Sequence, residues 1–324
     1  MKIDVFPHIL PKKYFEELRK KAEGVDFSEL SGWVIKNRAL SDMDTRLRLM
    51  DRYPDVVQVL TVATPPLETL VSPSEAVELA RIANDEMAEL VVKYPDKFVA
   101  AVACLPLNDI DAAIEEADRA ITELKLRGIQ IFTNINGEPL DTPKFRPLYE
   151  KMAQHNLPIW IHPWESPIMG SPTKGSSKII QEWVRRPFLE AIGWEFETSL
   201  AMMRLALAGI FKDYPEIKFI THHCGGMVPA CARRIMIRVN IEHMRKFYND
   251  TAVYGNTPGL MCGYAFFGGD HLLFGTDMPL GSTSSGGYGR TLETIRSIEE
   301  MDIPAFDKNK IFEDNAKQLL NLTF

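Results

Sequence analysis

The amino-acid sequence predicts an α/β fold in which eight parallel strands close into a (β/α)8 barrel. Short apolar, β-branched runs alternate with helix-like segments through the whole length of the 324-residue chain. Eight such runs favour a closed barrel over an open doubly wound sheet, and no GxGxxG segment follows a strand, which weakens a dinucleotide-binding alternative. Four of the runs end in histidine or aspartate. Such side chains can converge on one point if the strands are parallel and form a ring.

The predicted strands are short and apolar, as buried strands of a parallel sheet are. In chain order they are Ile3–Phe6, Val56–Val62, Phe98–Leu105, Ile129–Phe132, Leu157–His162, Ile217–Thr221, Phe247–Val253 and Leu272–Gly275. The predicted helices carry apolar residues at helical spacing, and Ser41 and Ser74 are their candidate N-caps. These helices are Lys12–Lys21, Ser41–Asp51, Ser74–Tyr94, Ile110–Leu126, Thr142–His155, Glu195–Phe211, Val228–Lys246, Arg290–Met301 and Lys308–Leu320.

The chain shows no internal repeat and no linker, so we expect one domain over residues 1–324. Two irregular stretches, about 24–41 and 164–190, are predicted insertions in that domain. The first is either a lid over the barrel or a packing loop. The second is rich in Gly, Ser and Pro and is too long for a plain turn, which indicates a functional or mobile segment.

Composition excludes several classes of protein. The hydrophobic content of 45% and charged content of 25% are ordinary globular values. The net charge of −7 argues against a nucleic-acid partner, and no apolar stretch reaches the roughly 18 residues of a membrane span. The four cysteines form no CxxC pair and the amino terminus has no signal-peptide pattern, so we expect a cytoplasmic protein.

The segment Ile217–Pro229, IKFITHHCGGMVP, is the most informative in the chain because a buried strand there ends in two histidines and a glycine turn. The ligand-type residues at predicted strand ends are His8, His162, His222, His223 and Asp277. Any one histidine alone is better explained as structural. Their coincidence at the carboxyl ends of strands, where barrels build their sites, predicts a divalent metal centre. Imidazole and carboxylate ligands favour zinc, with manganese or magnesium as alternatives.

Six motifs carry a resemblance that covers nearly the whole chain. They are IDVFPHILP, RLRLMD, LPIWIHPW, ETSLAM, FITHHCGGMVP and FFGGDHLLFGTDMPLG. With them the sequence resembles the amidohydrolase superfamily and, within it, the aminocarboxymuconate semialdehyde decarboxylase-like (amidohydrolase 2) family. The resemblance implies a distorted TIM barrel of the metal-dependent hydrolase type. It also implies nonoxidative decarboxylation of aromatic or conjugated acids, with hydratases and hydrolases among the relatives.

The resemblance implies roles for particular residues. His8, His162 and Asp277 match metal ligands, and His223 matches the catalytic histidine. Asp277 is a second candidate for proton transfer. We expect the adjacent His222 to point away from the site and to pack or orient its neighbour, unless the strand register is shifted by one.

Four further residues are predicted to bind substrate. Arg46 matches an arginine that pairs with the substrate carboxylate, and Arg234 matches one that relatives contribute across a dimer interface, which predicts a homodimer or higher homo-oligomer. Trp164 could stack on a planar substrate or close the barrel top. Phe6 stands where the family has its first metal ligand, and because phenylalanine cannot coordinate an ion, it could instead line the pocket.

The sequence therefore predicts a metal-dependent nonoxidative decarboxylase, a carboxy-lyase acting on a hydroxybenzoate-like or conjugated carboxylic acid. Two alternatives stay open. One is a metal-dependent hydrolase or hydratase of a carboxylated lactone or alkene on the same scaffold. The other is a non-catalytic binding barrel, which the replacement of a ligand by Phe6 would explain.

Overall fold

The computed structural model describes residues 1–22, 37–165, 188–280 and 288–324. Most of the two predicted insertions, about 24–41 and 164–190, lies outside these ranges. The described chain contains eight parallel barrel strands: β1 (Lys2–Asp4), β2 (Val56–Val62), β3 (Phe98–Ala101), β4 (Ile129–Phe132), β5 (Ile159–His162), β6 (Phe219–Thr221), β7 (Tyr248–Asp250) and β8 (Leu272–Leu273). A two-residue strand, His8–Ile9, adds to β2, and a small hairpin joins Asn134–Ile135 to Glu138–Pro139.

The strands pair in chain order and close into a ring. β2 pairs in parallel with β1 and β3, while β4 to β8 form a second continuous parallel arc. A parallel bridge between Ala103 and Ile129 joins β3 to β4. The amide of Val5 donates to the carbonyl of Phe274 at 2.9 Å, which joins the end of β1 to the end of β8. The predicted closed barrel is confirmed.

Alternation along the strands separates the barrel interior from the helical layer. Val57 and Val59 of β2 pack in a small inner cluster with the fully buried Trp160, while Leu60 of the same strand packs in the larger core. Thr61 continues the inward row and its hydroxyl reaches His8. The period of two in a strand thus brings polar side chains to the carboxyl end of the barrel above an apolar interior.

Helices surround the strands in the described ranges. The main ones are α1 (Lys12–Lys21), α2 (Met43–Met50), α3 (Pro73–Lys93), α4 (Ile110–Thr122), α5 (Arg146–His155), α6 (Trp194–Leu207), α7 (Val228–Ile235), α8 (Thr257–Phe267) and α9 (Tyr288–Glu299). Shorter helical segments are Ile210–Asp213, Ile241–Arg245, Ala305–Asn309, Lys310–Asp314 and Asn315–Leu319. Among the described helices, none combines the length and the apolar character that crossing a membrane requires.

Several helix limits differ from the prediction. Asp42, not Ser41, caps α2 and accepts from the amide of Thr45 at 3.3 Å. α3 begins at a proline, so its N-cap is Ser72 rather than Ser74. The predicted helix Val228–Lys246 is divided in two, because Asn240 caps a new helix by accepting from the amide of Glu242. α8 was not predicted.

Candidate active site

Five ionisable side chains meet at the carboxyl ends of β1, β5, β6 and β8, and all are at most 6% exposed. Their ligand atoms form two overlapping groups in which every atom lies within 4.8 Å of the others. One group is His8, His162 and His222, and the other is His222, His223 and Asp277. The predicted ligands His162 and Asp277 therefore fall in different groups. His222 belongs to both and connects them.

Each of the four imidazoles has its Nδ1 atom beside a protein oxygen. These oxygens are Thr61 Oγ1 (3.2 Å from His8), the Pro163 carbonyl (2.7 Å from His162), Asp250 Oδ2 (beside His222) and Glu195 Oε2 (2.8 Å from His223). Because Thr61 already donates its hydroxyl proton to the Pro7 carbonyl at 2.8 Å, it accepts from His8. Such contacts place a proton on each Nδ1. In His8, His162 and His223 they leave Nε2 available for an ion or a substrate, whereas an ion at Nε2 of His222 would displace a second proton.

Asp277 is the carboxylate at the centre of the cluster. Its Oδ1 lies 3.1 Å from Nε2 of His8 and 3.4 Å from Nε2 of His222, and its Oδ2 accepts from the Tyr254 hydroxyl at 2.9 Å. Burial alone would raise the pKa of this carboxyl, but His222 and His8 hold it well below its ordinary value. Asp277 is therefore an anion in the folded protein.

Charge is divided unequally among the buried imidazoles. Burial would lower the pKa of His222, but the carboxylates of Asp250 and Asp277 outweigh it and raise this pKa to about 10. The pKa of His162 lies well below its ordinary value because burial, and then the charges of His8 and His222, disfavour its cationic form. Burial is also the main reason that the pKa of His8 is lowered.

Phe6 lies among the imidazoles without offering them a ligand atom. Its fully buried ring stacks on His222, with centroids 4.1 Å apart and planes at 23°. The rings of His8 and His162 are 5.6 and 6.0 Å away. The position two residues before His8 thus belongs to the site, but it contributes only an apolar surface.

The expectation that His222 points away from the site is wrong. After β6 ends, His222 is extended, and His223 adopts a left-handed φ of 55°. Strand alternation therefore stops, and both imidazoles face the same cluster with ring centroids 4.1 Å apart. Asp277 and Tyr254 also have left-handed φ values, 61° and 54°. Non-glycine residues in this region are strained, and such strain concentrates at functional sites.

Three residues of the site were missed by the sequence analysis. Asp250 ends β7, but the predicted strand ran on to Val253, so Asp250 fell inside it and not at its end. Glu195 is in the first turn of α6, where the sequence carries no signal for its contact with His223. Tyr254 lies in a loop rather than at a strand end, and its hydroxyl binds Asp277.

Among the predicted substrate-binding residues, Arg46 is fully buried, as Phe6 is. Its guanidinium donates to Gln58 Oε1 at 3.0 Å and to the carbonyls of His8 and Ala39 at 2.7 and 3.2 Å. Nη2 has no hydrogen-bond partner among the described residues. The guanidinium therefore supports the backbone of His8 and keeps one donor group for another partner. Arg234 is exposed on α7.

Trp164 lies at the edge of the cluster. Its ring is 6.3 Å from that of Phe132, whose own ring is 5.6 Å from His162. Its main-chain amide and carbonyl both bond the hydroxyl of Thr133, at 3.0 and 3.2 Å. Phe132 and Trp164 thus form an aromatic edge beside His162.

A family model described as amidohydrolase matches residues 4–322. The chain belongs to the amidohydrolase family. Within this family it is similar to 2-amino-3-carboxymuconate-6-semialdehyde decarboxylase of Dictyostelium discoideum, with 28% identity over 99% of this chain and 92% of that protein. It is also similar to the gamma-resorcylate decarboxylase of Rhizobium sp. (strain MTP-10005), with 30% identity over 89% of this chain and 90% of that protein.

Solved structures of amidohydrolase-family decarboxylases share this fold. The structure of 2,6-dihydroxybenzoate decarboxylase in complex with 2,6-dihydroxybenzoate is 26% identical, has a TM-score of 0.79, and covers 99% of this chain and 98% of its own. A dihydroxybenzoic acid decarboxylase from Polaromonas sp. JS666 has a TM-score of 0.77 at 24% identity, over 99% of this chain and 97% of its own. That protein contains manganese and the inhibitor 2-nitroresorcinol.

Proposed function

We propose that this protein is a metal-dependent nonoxidative decarboxylase that acts on a hydroxybenzoate-like or related conjugated carboxylic acid. The observation that carries the proposal is a cluster of four buried imidazoles and the carboxylate of Asp277, in two groups of ligand atoms that share His222. Each imidazole has its Nδ1 beside a protein oxygen. Two relatives match nearly the full length of the chain, and both are named as decarboxylases of small aromatic or conjugated acids. They support the same reaction class.

The donor set fits a divalent cation. His8, His162 and Asp277 would hold the ion, since a catalytic site needs about three protein ligands and at least one open position. A close pair of acceptors supports this fit, because the fully buried Nε2 of His8, with its proton on Nδ1, lies 3.1 Å from Oδ1 of Asp277, and a cation would satisfy both atoms. We propose zinc from the ligand types, with manganese as an alternative that the same ligands accept. When bound, the ion supplies positive charge to a substrate carboxylate and a neighbouring oxygen.

His223 is the proposed proton carrier. Its Nε2 is buried and has no hydrogen-bond partner among the described residues, whereas Glu195 holds its Nδ1 at 2.8 Å. Asp277 already has three close partners in His8, His222 and Tyr254. An imidazole with one free nitrogen is the better acid or base, so His223 rather than Asp277 is expected to move the proton.

The chemistry explains why such a proton is needed. Loss of carbon dioxide from an sp² carbon leaves an electron pair in the ring plane, where the π-system cannot delocalise it. If His223 takes up a second proton from water at Nε2 and gives it to that carbon, the positive charge spreads over an electron-rich ring. The carbon–carbon bond to the carboxylate can then break, its electron pair returns to the ring, and carbon dioxide leaves. The aromatic surfaces of Phe6, Phe132 and Trp164 suit a planar substrate of this kind.

Two predicted arginines complete the proposal. Nη2 of Arg46 is the donor that could pair with a substrate carboxylate. Arg234, exposed on α7, would reach a neighbouring subunit, so we propose a homodimer or higher homo-oligomer. We also propose that residues 1–324 form a single domain, which the family match over residues 4–322 supports.

A panel of carboxylic acids tests the proposed reaction. The panel contains hydroxybenzoates, a conjugated dienoic acid and a carboxylated lactone, each incubated with protein loaded with zinc or manganese. Carbon dioxide and the decarboxylated product are expected from at least one hydroxybenzoate. Ring opening of the lactone without carbon dioxide would support the hydrolase alternative, in which His223 acts as a base on water. Turnover of none of the acids contradicts the proposal.

A further inference from the structure

We propose that His222 is itself a ligand of the divalent ion, as the fourth member of a set with His8, His162 and Asp277, and that Phe6 positions it. The inference deepens the proposed function, since it rests on a divalent ion in this cluster. It changes which strands supply the ligands. The end of β1 supplies one imidazole, that of His8, and the end of β6 supplies another, that of His222.

The distances place His222 at the centre of the candidate ligands. It is the one residue shared by the two groups whose ligand atoms lie within 4.8 Å of one another in the described chain. Its Nε2 lies 3.4 Å from Oδ1 of Asp277. An ion that contacted His162 on one side and Asp277 on the other would have Nε2 of His222 within reach. Without His222 the predicted trio is not one such group.

The surroundings of His222 are those of a metal-binding imidazole. Its Nδ1 contacts Oδ2 of Asp250, a fully buried carboxylate. Oδ1 of Asp250 in turn accepts from the amides of Ala252 and Cys224, at 3.0 and 3.4 Å. Metal-ligating histidines commonly donate their second nitrogen to such a carboxylate, which orients the ring and raises the basicity of the other nitrogen.

Two aromatic rings hold the imidazole of His222 in place. Phe6 stacks on one side at 4.1 Å and 23°, and the imidazole of His223 lies at 4.1 Å and 29°. A ring confined by two neighbours keeps its Nε2 directed at Asp277. Phe6 therefore contributes to the site by fixing a ligand rather than by being one.

Metal affinity measured by isothermal titration calorimetry tests this inference without relying on turnover. The chelator-stripped protein is titrated with zinc and with manganese, and each variant is first checked for folding by circular dichroism. His222→Gln is expected to weaken binding at least ~100-fold, and Asp250→Asn, which changes the carboxylate that orients His222, ~10–100-fold. The matched control is His155→Gln, a histidine paired with Asp118 elsewhere. It is expected to bind the ion as the unaltered protein does.

A second measurement tests the inference even if the His222→Gln variant fails to fold. Anomalous scattering from a crystal of the metal-loaded protein should place the ion about 2.1 Å from Nε2 of His222. An ion that His222 does not contact, or wild-type affinity in folded His222→Gln, overturns the inference.

Carbon dioxide release measured on the same preparations separates this inference from the proposed function. Release of carbon dioxide with unaltered metal affinity in His222→Gln overturns the inference and leaves the function intact. Metal bound through His222 without turnover of any acid supports the inference and contradicts the function.

Discussion

The hydroxyl of Tyr254 donates a 2.9 Å hydrogen bond to Oδ2 of Asp277, the carboxylate that also contacts His8 and His222. Burial and the negative charge of Asp277 together keep the phenol protonated, and the pKa of Tyr254 lies far above its ordinary value, with Asp277 as the main cause. The bond orients Asp277 from the side opposite its contacts with His8 and His222. A loop tyrosine thus belongs to the support of the proposed metal centre.

Removing this hydroxyl should weaken the centre without unfolding the protein. Tyr254→Phe is expected to lower metal affinity ~10–100-fold, the usual cost of losing a group that orients a ligand. Tyr264→Phe is the matched control, since Tyr264 makes a comparable 2.8 Å bond to Asp307 away from the site. Equal affinities in the two variants, measured by calorimetry, would exclude this role for Tyr254.

His223 should be needed for turnover. The variant His223→Gln loses the free Nε2, so kcat is expected to fall at least ~100-fold. Glu195→Gln keeps the imidazole but weakens its orientation, and a smaller loss is expected there. Steady-state kinetics with the best acid of the panel checks both. An undiminished kcat in His223→Gln would remove this residue from the mechanism.

Arg46 should contribute to stability as well as to binding. Arg46→Lys keeps the positive charge but loses the hydrogen bonds to the His8 carbonyl and Gln58, so the free energy of unfolding is expected to fall by roughly 1–3 kcal/mol. If Nη2 also pairs with the substrate, KM rises in the same variant. Denaturant unfolding and kinetics measure the two effects separately. Wild-type stability would contradict the first role, and wild-type KM the second.

Glu68 should make stability depend on pH. Burial raises the pKa of its carboxyl from 4.5 to about 8 in the folded protein. The folded state therefore keeps a proton that the unfolded state loses, and this contribution destabilises the protein progressively as pH rises from about 4.5 to about 8. Glu68→Gln is expected to remove this loss and to be more stable than the unaltered protein by up to a few kcal/mol above about pH 8.

Unfolding free energies at about pH 5 and about pH 9 test the role of Glu68. The control is Glu216→Gln, at an exposed position, which should change neither value by more than a few tenths of a kcal/mol. A Glu68→Gln protein with the same pH dependence as the unaltered one would contradict the assignment.

The barrel was predictable because strands and helices alternate in the sequence and because ionisable residues at strand ends must share one face of a parallel barrel. This placed His8, His162, His223 and Asp277 near one another before their contacts were known. The orientation of His222 was not predictable in the same way. It depends on the left-handed backbone of His223, which interrupts the alternation that a strand would continue.

The supporting residues were harder to predict for a different reason. Glu195 and Tyr254 reach the cluster from the start of a helix and from a loop, so their positions depend on how distant elements pack rather than on local patterns. Asp250 was missed for another reason. It ends the observed strand and is buried beside His222, but the apolar pattern extended the predicted strand to Val253 and so hid this strand end.

The most direct test of the central claim is carbon dioxide release from a carboxyl-labelled hydroxybenzoate in deuterated water, with protein stripped of metal and then reloaded. The proposed function predicts that the stripped protein is inactive and that zinc or manganese restores activity. It also predicts one labelled carbon dioxide for each product molecule that carries deuterium at the carbon that lost the carboxylate. Labelled carbon dioxide released equally well without metal, or no release after reloading with either ion, would contradict it.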